Sequence, residues 1–265
     1  MKTSTTLTNN KVFKYFIKPV LILLFWILVW EIISLIVNKP LLFPNPLSTV
    51  KRLCELIITK EFLVSVLFSI LRTVVGIVIS VFLGILMAVL CYKIKLLYEI
   101  FYPFVTVIRT TPVASFVILI WIFIGNSITP VVITSVIVFP IIFSNILEGL
   151  KNLDNDLVDV IKVYKINRIN QFKAFYIPSL LPYFKSGLIT SIGMGWKAGI
   201  AAEVLCTPIR SIGKYIFESK IYFEYTDLFA WTLTIIVLSF VFEKLSKTLI
   251  KKILSNNKLE KANAN

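Results

Sequence analysis

The residues able to do chemistry in this chain of 265 are few, and most lie inside apolar stretches. Arg109 is followed by Thr110-Thr111-Pro112 within one such stretch. Pro112 removes a backbone donor and frees a carbonyl, which a cavity or the threonine hydroxyls must satisfy. An ionisable group at membrane depth points either to a solute path or to a tie between helices. Trp196, Lys197 and Glu203 lie in a second apolar stretch. Lys197 and Glu203 are six residues apart, about 240° round a helix, so they cannot serve each other and need other partners or water. These seven residues are the candidate lining of a path through a membrane. Gly187, Ser191, Gly195 and Gly199 recur every four residues, a ridge of small side chains that lets another helix approach closely.

Other chemistries lack their residues. There is no His, which removes the commonest general base and metal ligand. Cys54, Cys91 and Cys206 have no metal-ligand spacing. The nearest approach to a phosphate loop, Ile212-Gly213-Lys214-Tyr215, lacks the first Gly and the hydroxyl. No catalytic, metal-binding or cofactor-binding residue is expected on this chain. A membrane-embedded enzyme would need a clustered site, and the carboxylates inside apolar stretches, Glu31 and Glu203, are isolated.

The elements that position these residues follow from composition. Apolar residues make up 57% and charged residues 16%, with a mean hydropathy of +0.87. Soluble chains run at roughly 45–50% and about 25%. An all-α polytopic membrane protein is expected. The net charge of +14 is read as basic loops facing anionic headgroups, with no nucleic-acid partner. A span needs about 20 apolar residues, and six segments qualify: 17–37, 64–91, 101–124, 128–147, 181–205 and 228–249. The first is expected to be an anchor, since no small-residue cleavage site follows it. Gly125-Asn126-Ser127 should join the third and fourth spans as a hairpin. With both termini on one side, sixteen of the 28 Lys and Arg fall on that side and seven on the other, so both termini are expected in the cytoplasm.

The chain thus divides into a cytoplasmic N-terminal tail (1–16), the first span (17–37), an outer loop with an amphipathic segment (38–63), a five-span core (64–250) and a cytoplasmic C-terminal tail (251–265). In the outer loop, Pro44 and Pro46 stop the first helix, and Asn45 or Ser48 caps an amphipathic helix at the interface. The loop 148–180 is too long for a passive connection. Leu153, Leu157, Val158, Ile161 and Tyr164 are apolar at helical spacing, and Asp154, Asp156 and Asp159 suit a helix N-terminus. Pro178 and Pro182 are expected to end this segment. Its apolar face needs a protein surface to cover it.

That loop resembles the cytoplasmic motif of the permease subunits of ABC importers, Glu-Ala-Ala-x3-Gly-x9-Ile-x-Leu-Pro. Here the same spacing gives Asp159-Val160-Ile161, Lys165, then Phe175, Ile177 and Pro178, of which only the Pro is identical. Lys165 replaces the Gly of the turn, and Asn167 is expected to supply the left-handed residue instead. The flanks resemble the nitrate/sulfonate/taurine-type permeases. They include Leu67-Phe68-Ser69-Ile70-Leu71-Arg72 with Gly76 and Gly84, and Tyr102-Pro103. They continue with Arg109-Thr110-Thr111-Pro112, Trp121-x3-Gly125, Pro178-x3-Pro182-Tyr183, Trp196 and Ala201-Ala202-Glu203. Leu42-Phe43-Pro44-x-Pro46 fits as well. The likeness runs from Leu42 to Leu249.

The resemblance implies a type I importer permease with six spans and a coupling helix. Its expected partners are a second permease chain in a homodimer, a cytosolic ABC ATPase dimer that holds ATP and Mg, an extracytoplasmic solute-binding protein and the lipid bilayer of the cell membrane. Asp159 to Pro178 would contact the ATPase. A nitrate-, sulfonate- or taurine-like anion is the favoured solute. The alternatives are a vitamin precursor or, on a different principle, an ion-coupled secondary transporter; that last class predicts an internal repeat or membrane carboxylates, and no clear repeat relates the two halves.

Overall fold

Proline and glycine placement decides where the long apolar runs remain straight and where they break. The computed structural model describes residues 17–164 and 166–255. Lys165 and both outermost tails lie outside the described residues, so the expected cytoplasmic tails are not placed. Among the described residues there is no strand. The helices are α1 (Lys18–Val37), α2 (Pro46–Ile57), α3 (Lys60–Lys93), α4 (Lys95–Thr110), α5 (Val113–Ile124) and α6 (Thr129–Lys151). They continue with α7 (Asn155–Val163), α8 (Arg168–Gln171), α9 (Ile177–Cys206), α10 (Ile212–Ile221) and α11 (Tyr225–Ser255). A π turn over Phe172–Tyr176 joins α8 to α9, giving one 39-residue rod.

Among the described residues, five helices are long and apolar enough to cross a membrane, or six when α4 and α5 count as one broken span. The expectation of one continuous helix over 101–124 needs correction. α4 and α5 meet at 106°. Thr111 is extended there (φ −77°, ψ 134°), as a residue before proline prefers, and Pro112 offers no N–H to carry the helix on. Thr111 Oγ1 donates to the Val107 carbonyl at 2.7 Å and Thr110 Oγ1 to the Thr106 carbonyl at 3.1 Å, so the hydroxyls saturate the last turn of α4. The hairpin at Gly125 forms as expected. Gly125 takes φ +79°, and Trp121 Nε1 donates to Asn126 Oδ1 at 2.7 Å.

A second correction concerns Pro178 and Pro182, which do not end a helix. Pro178 follows closely on the π turn and Pro182 lies five residues into α9, and both are accommodated inside the continuous rod. The loop 148–180 is accordingly shorter than expected. α6 runs on to Lys151, and the rod begins at Arg168. At the other end α3 begins at Lys60, inside the expected outer loop.

The centre is α3, α6 and α9. Gly76 lies where a Cβ would come within 2.7 Å of Thr134, and Gly199 where one would come within 2.7 Å of Thr134 Oγ1. The Gly187–Ser191–Gly195–Gly199 ridge therefore packs inside the chain, on Asn145, Val138 and Thr134 of α6 and on Ile77 and Thr73 of α3. Val138, Ile142, Phe143 and Ile192 fill the same seam. α1 stands apart with no buried residue. It meets the rest in its C-terminal half, where Trp30 Nε1 donates to the Pro44 carbonyl at 3.1 Å and Ser34 Oγ to the Phe43 carbonyl at 3.1 Å. Asn45, not Ser48, caps α2, accepting from Ser48 N at 2.7 Å. Arg52 of α2 grips both carboxylate oxygens of Asp227 at 2.6 and 2.9 Å, and these hydrogen bonds hold its guanidinium above the ordinary arginine value.

Candidate translocation path and coupling segment

The seven path candidates do not converge. Trp196 is 1% exposed, stacked on Phe242 at 5.7 Å and packed among the buried side chains near Trp231 and Ile212. Glu203 is also 1% exposed. It accepts from Ser69 Oγ at 2.6 Å, from Arg72 Nη1 at 3.2 Å and from Gly213 N at 3.4 Å. Arg72 in turn donates to the carbonyls of Ile209 at 2.9 Å and Arg210 at 3.1 Å. This cluster clamps the link between α9 and α10 onto α3. Thr207 and Arg210 take positive φ in that link, and a Cβ on Gly213 would come within 2.3 Å of the Glu203 backbone. The carboxylate is a buried tie between elements, and no open surface reaches it.

Arg109 also ties helices. Its Nη2 donates to the Pro140 carbonyl at 2.9 Å and to Ser144 Oγ, pinning the end of α4 to α6 beside the bend. Thr110 is exposed there, and Thr111 and Pro112 form the break itself.

Lys197 differs from all of these. It is exposed although it lies nine residues, about 14 Å, before the C-terminal end of α9. Ser186, Thr190 and Ala201 are exposed on the same face, and Gly193 has nothing within 4 Å of where a Cβ would be. This polar, small-residue stripe is about 140° round the helix from the glycine ridge. The open side chains of α3 facing away from the core include Leu71, Val78 and Phe82, and Phe240 is open on α11, while Thr106, Arg109 and Thr110 are open polar residues near the break after α4. Lys197 is also within electrostatic range of Glu243 on α11. The 4-3-4-4 spacing of Ser186, Thr190, Gly193, Lys197 and Ala201 was present in the sequence as the signal for this stripe.

The segment expected to couple to an ATPase lies at the opposite end from α2 and α10. Asp154 Oδ1 caps α7, accepting from Asp156 N at 2.9 Å and Leu157 N at 3.4 Å. Leu153 and Phe175 are buried, and half-buried Ile161 joins them against the bundle core. Asp159 is exposed, as are Leu157, Val163, Tyr164, Ile169 and Phe172. The expected apolar face is thus divided, part anchoring α7 to its own bundle and part open. Ile177 and Pro178 open α9, and Val160 is in α7. Asn167 is not left-handed. It is extended (φ −61°, ψ 140°) and caps α8 by accepting from Ile169 N at 3.4 Å. Lys165, the position of the family Gly, lies outside the described residues.

A profile of the family described as "Binding-protein-dependent transport system inner membrane component" matches residues 80–255. The chain belongs to that family. The matched part of this family member includes α4 to α11, and hence both the α9 stripe and the segment expected to couple. Among curated proteins, the chain is 35% identical over 82 residues to the bicarbonate transport system permease protein CmpB of Synechocystis sp., covering 31% of this chain and 29% of that protein. It is 30% identical over 82 residues to the protein of the same name from Synechococcus elongatus, with the same shares covered. The alignments thus span less than a third of the relatives' length.

Proposed function

We propose that the chain is the membrane-spanning permease subunit of an ATP-driven importer for a small anion, working with a second copy of itself. The observation that carries this reading is the open polar stripe of α9, with Lys197 exposed at bilayer depth. A charge facing hydrocarbon is costly, and such residues face water-filled cavities or other protein. Two copies opposed across this stripe would enclose a small-residue route with one lysine from each, suited to an anion. Bicarbonate joins nitrate, sulfonates and taurine as candidates, since the similar permeases carry bicarbonate in their names.

The charge bias of the loops supports a cytoplasmic side for both termini and α7. There the open side chains of Leu157, Val163 and Tyr164 would seat in a cytosolic ATPase that binds ATP and Mg. Closure of the ATPase pair would favour one of two bundle conformations by differential binding. An extracytoplasmic binding protein would deliver the solute at the end carrying α2 and α10. Asp159 and the residues around Pro178 belong to the proposed ATPase contact.

The test is uptake of labelled bicarbonate, nitrate and taurine by vesicles holding the chain, its ATPase and its binding protein. ATP-dependent uptake of one anion, reduced at least tenfold by Lys197→Ala, is expected. Uptake driven by a proton gradient without ATP would overturn the reading. Asp159→Lys should lower co-purification with the ATPase, and unchanged co-purification would remove Asp159 from the contact.

A further inference from the structure

A groove of about 350 Å³ runs between α3, α4 and α6, walled by Leu83, Met87, Phe101, Phe104, Val136 and Phe139. Two serines also line it, but both hydroxyls are engaged with backbone. Ser80 Oγ donates to the Ser135 carbonyl at 2.7 Å, and Ser135 Oγ donates to the Gly76 carbonyl at 3.0 Å. The wall therefore offers carbon alone. A polar solute entering it would give up its water and gain no hydrogen bond. A hydrocarbon chain meets no such penalty.

One end of the groove is basic. Met87 lies six residues before Lys93, and Phe101 six residues after Lys95, each about 9 Å along its helix. Lys151 Nζ stands 4.2 Å from the ring centroid of Tyr98, one turn from Phe101. Lys93 and Lys151 have no carboxylate partner among the described residues, and Lys95 meets Glu99 at 3.9 Å with a side chain 90% exposed. Three cations thus flank the mouth against two carboxylates, Glu99 and the exposed Glu148 one turn before Lys151, at the end of the bundle that carries α7. An apolar slot of this size opening beside basic side chains suits an amphiphile with an anionic head.

We propose that this groove binds one anionic phospholipid. An acyl chain lies along Phe101, Phe104 and Phe139, and the phosphate meets Lys93, Lys95 and Lys151. The site is separate from the α9 stripe and independent of what the chain transports.

The experiment is native mass spectrometry of the purified full chain, titrated with phosphatidylglycerol or phosphatidylcholine of equal chain length. One phosphatidylglycerol per chain should be retained at concentrations where phosphatidylcholine is lost. Lys93→Gln combined with Lys95→Gln should reduce that preference by about fivefold per lysine. Val136→Phe, which narrows the slot, should weaken both lipids alike and leave the headgroup preference intact. Equal retention of the two lipids by the unaltered chain, or an undiminished preference in the lysine variant, would overturn the proposal. Spontaneous disulfide formation between two chains carrying Leu83→Cys would also overturn it, by making the groove a contact between copies.

Discussion

Replacing Glu203 by Ala separates a structural tie from a path residue. Glu203 accepts from Ser69, Arg72 and Gly213, so truncation leaves three donors facing a gap. Removing one partner of a buried pair costs about 3–5 kcal/mol. Arg72 keeps its bonds to the Ile209 and Arg210 carbonyls, which places the loss near the lower end, about 3 kcal/mol. At about 2–4 °C per kcal/mol for a chain of this size, Tm should fall by about 6–12 °C. Glu203→Gln keeps an acceptor for Ser69 and Gly213 and should lose about half as much. Exchanging the charges, Arg72→Glu with Glu203→Arg, should not restore stability. The new carboxylate would face two carbonyls, and the new guanidinium would face two donors. Thermal unfolding of the purified chain in detergent, followed by tryptophan fluorescence, reads all three variants. A Tm within about 2 °C of the unaltered chain, accompanied by lost uptake, would refute the reasoning and return Glu203 to the solute path.

Gly199→Leu places a branched side chain against Thr134 Oγ1 and Thr73 Oγ1 and should destabilise by at least about 1–3 kcal/mol. Gly193→Ala, facing open space, should be neutral or stabilise by about 0.5–1 kcal/mol; the same unfolding measurement compares them. Arg109→Gln loses charge-assisted bonds to Pro140 and Ser144 and should cost about 1.5–3 kcal/mol, with cysteine pairs across the α4–α6 seam cross-linking less completely. Asp154→Ala removes the cap of α7, worth about 0.5–2 kcal/mol. Its effect should appear as faster amide exchange over 155–163 with little change in Tm.

Hydropathy and periodicity made the helical segments legible because bilayer depth imposes a length on each one. Partners distant in the chain were not legible. The separation of Lys197 from Glu203 correctly excluded a pair, yet nothing local pointed Glu203 to Arg72, 131 residues away. The small-residue ridge announced a close approach through its spacing, while α3 and α6 as its partners depend on how the helices assemble. Pro112 was visible as a lost backbone donor inside one span, but proline alone does not set a 106° bend: Pro103, Pro140 and Pro182 all lie within continuing helices. What distinguishes Pro112 is the extended Thr111 before it and the anchoring of Arg109 across to α6. Asn167 was misassigned because asparagine serves equally as a helix cap, and the cap was formed.

The rod from Arg168 to Cys206 has a mechanical consequence. Its 39 residues extend about 58 Å at helical rise, with the coupling segment at its foot and the Glu203 clamp near its head. Glycine contacts hold its shaft against α3 and α6, and the clamp fixes its head to α3. In the proposed cycle the shaft beyond Pro182 would carry a displacement to the opposite face as one body, while the π turn and the two prolines at the foot supply the give.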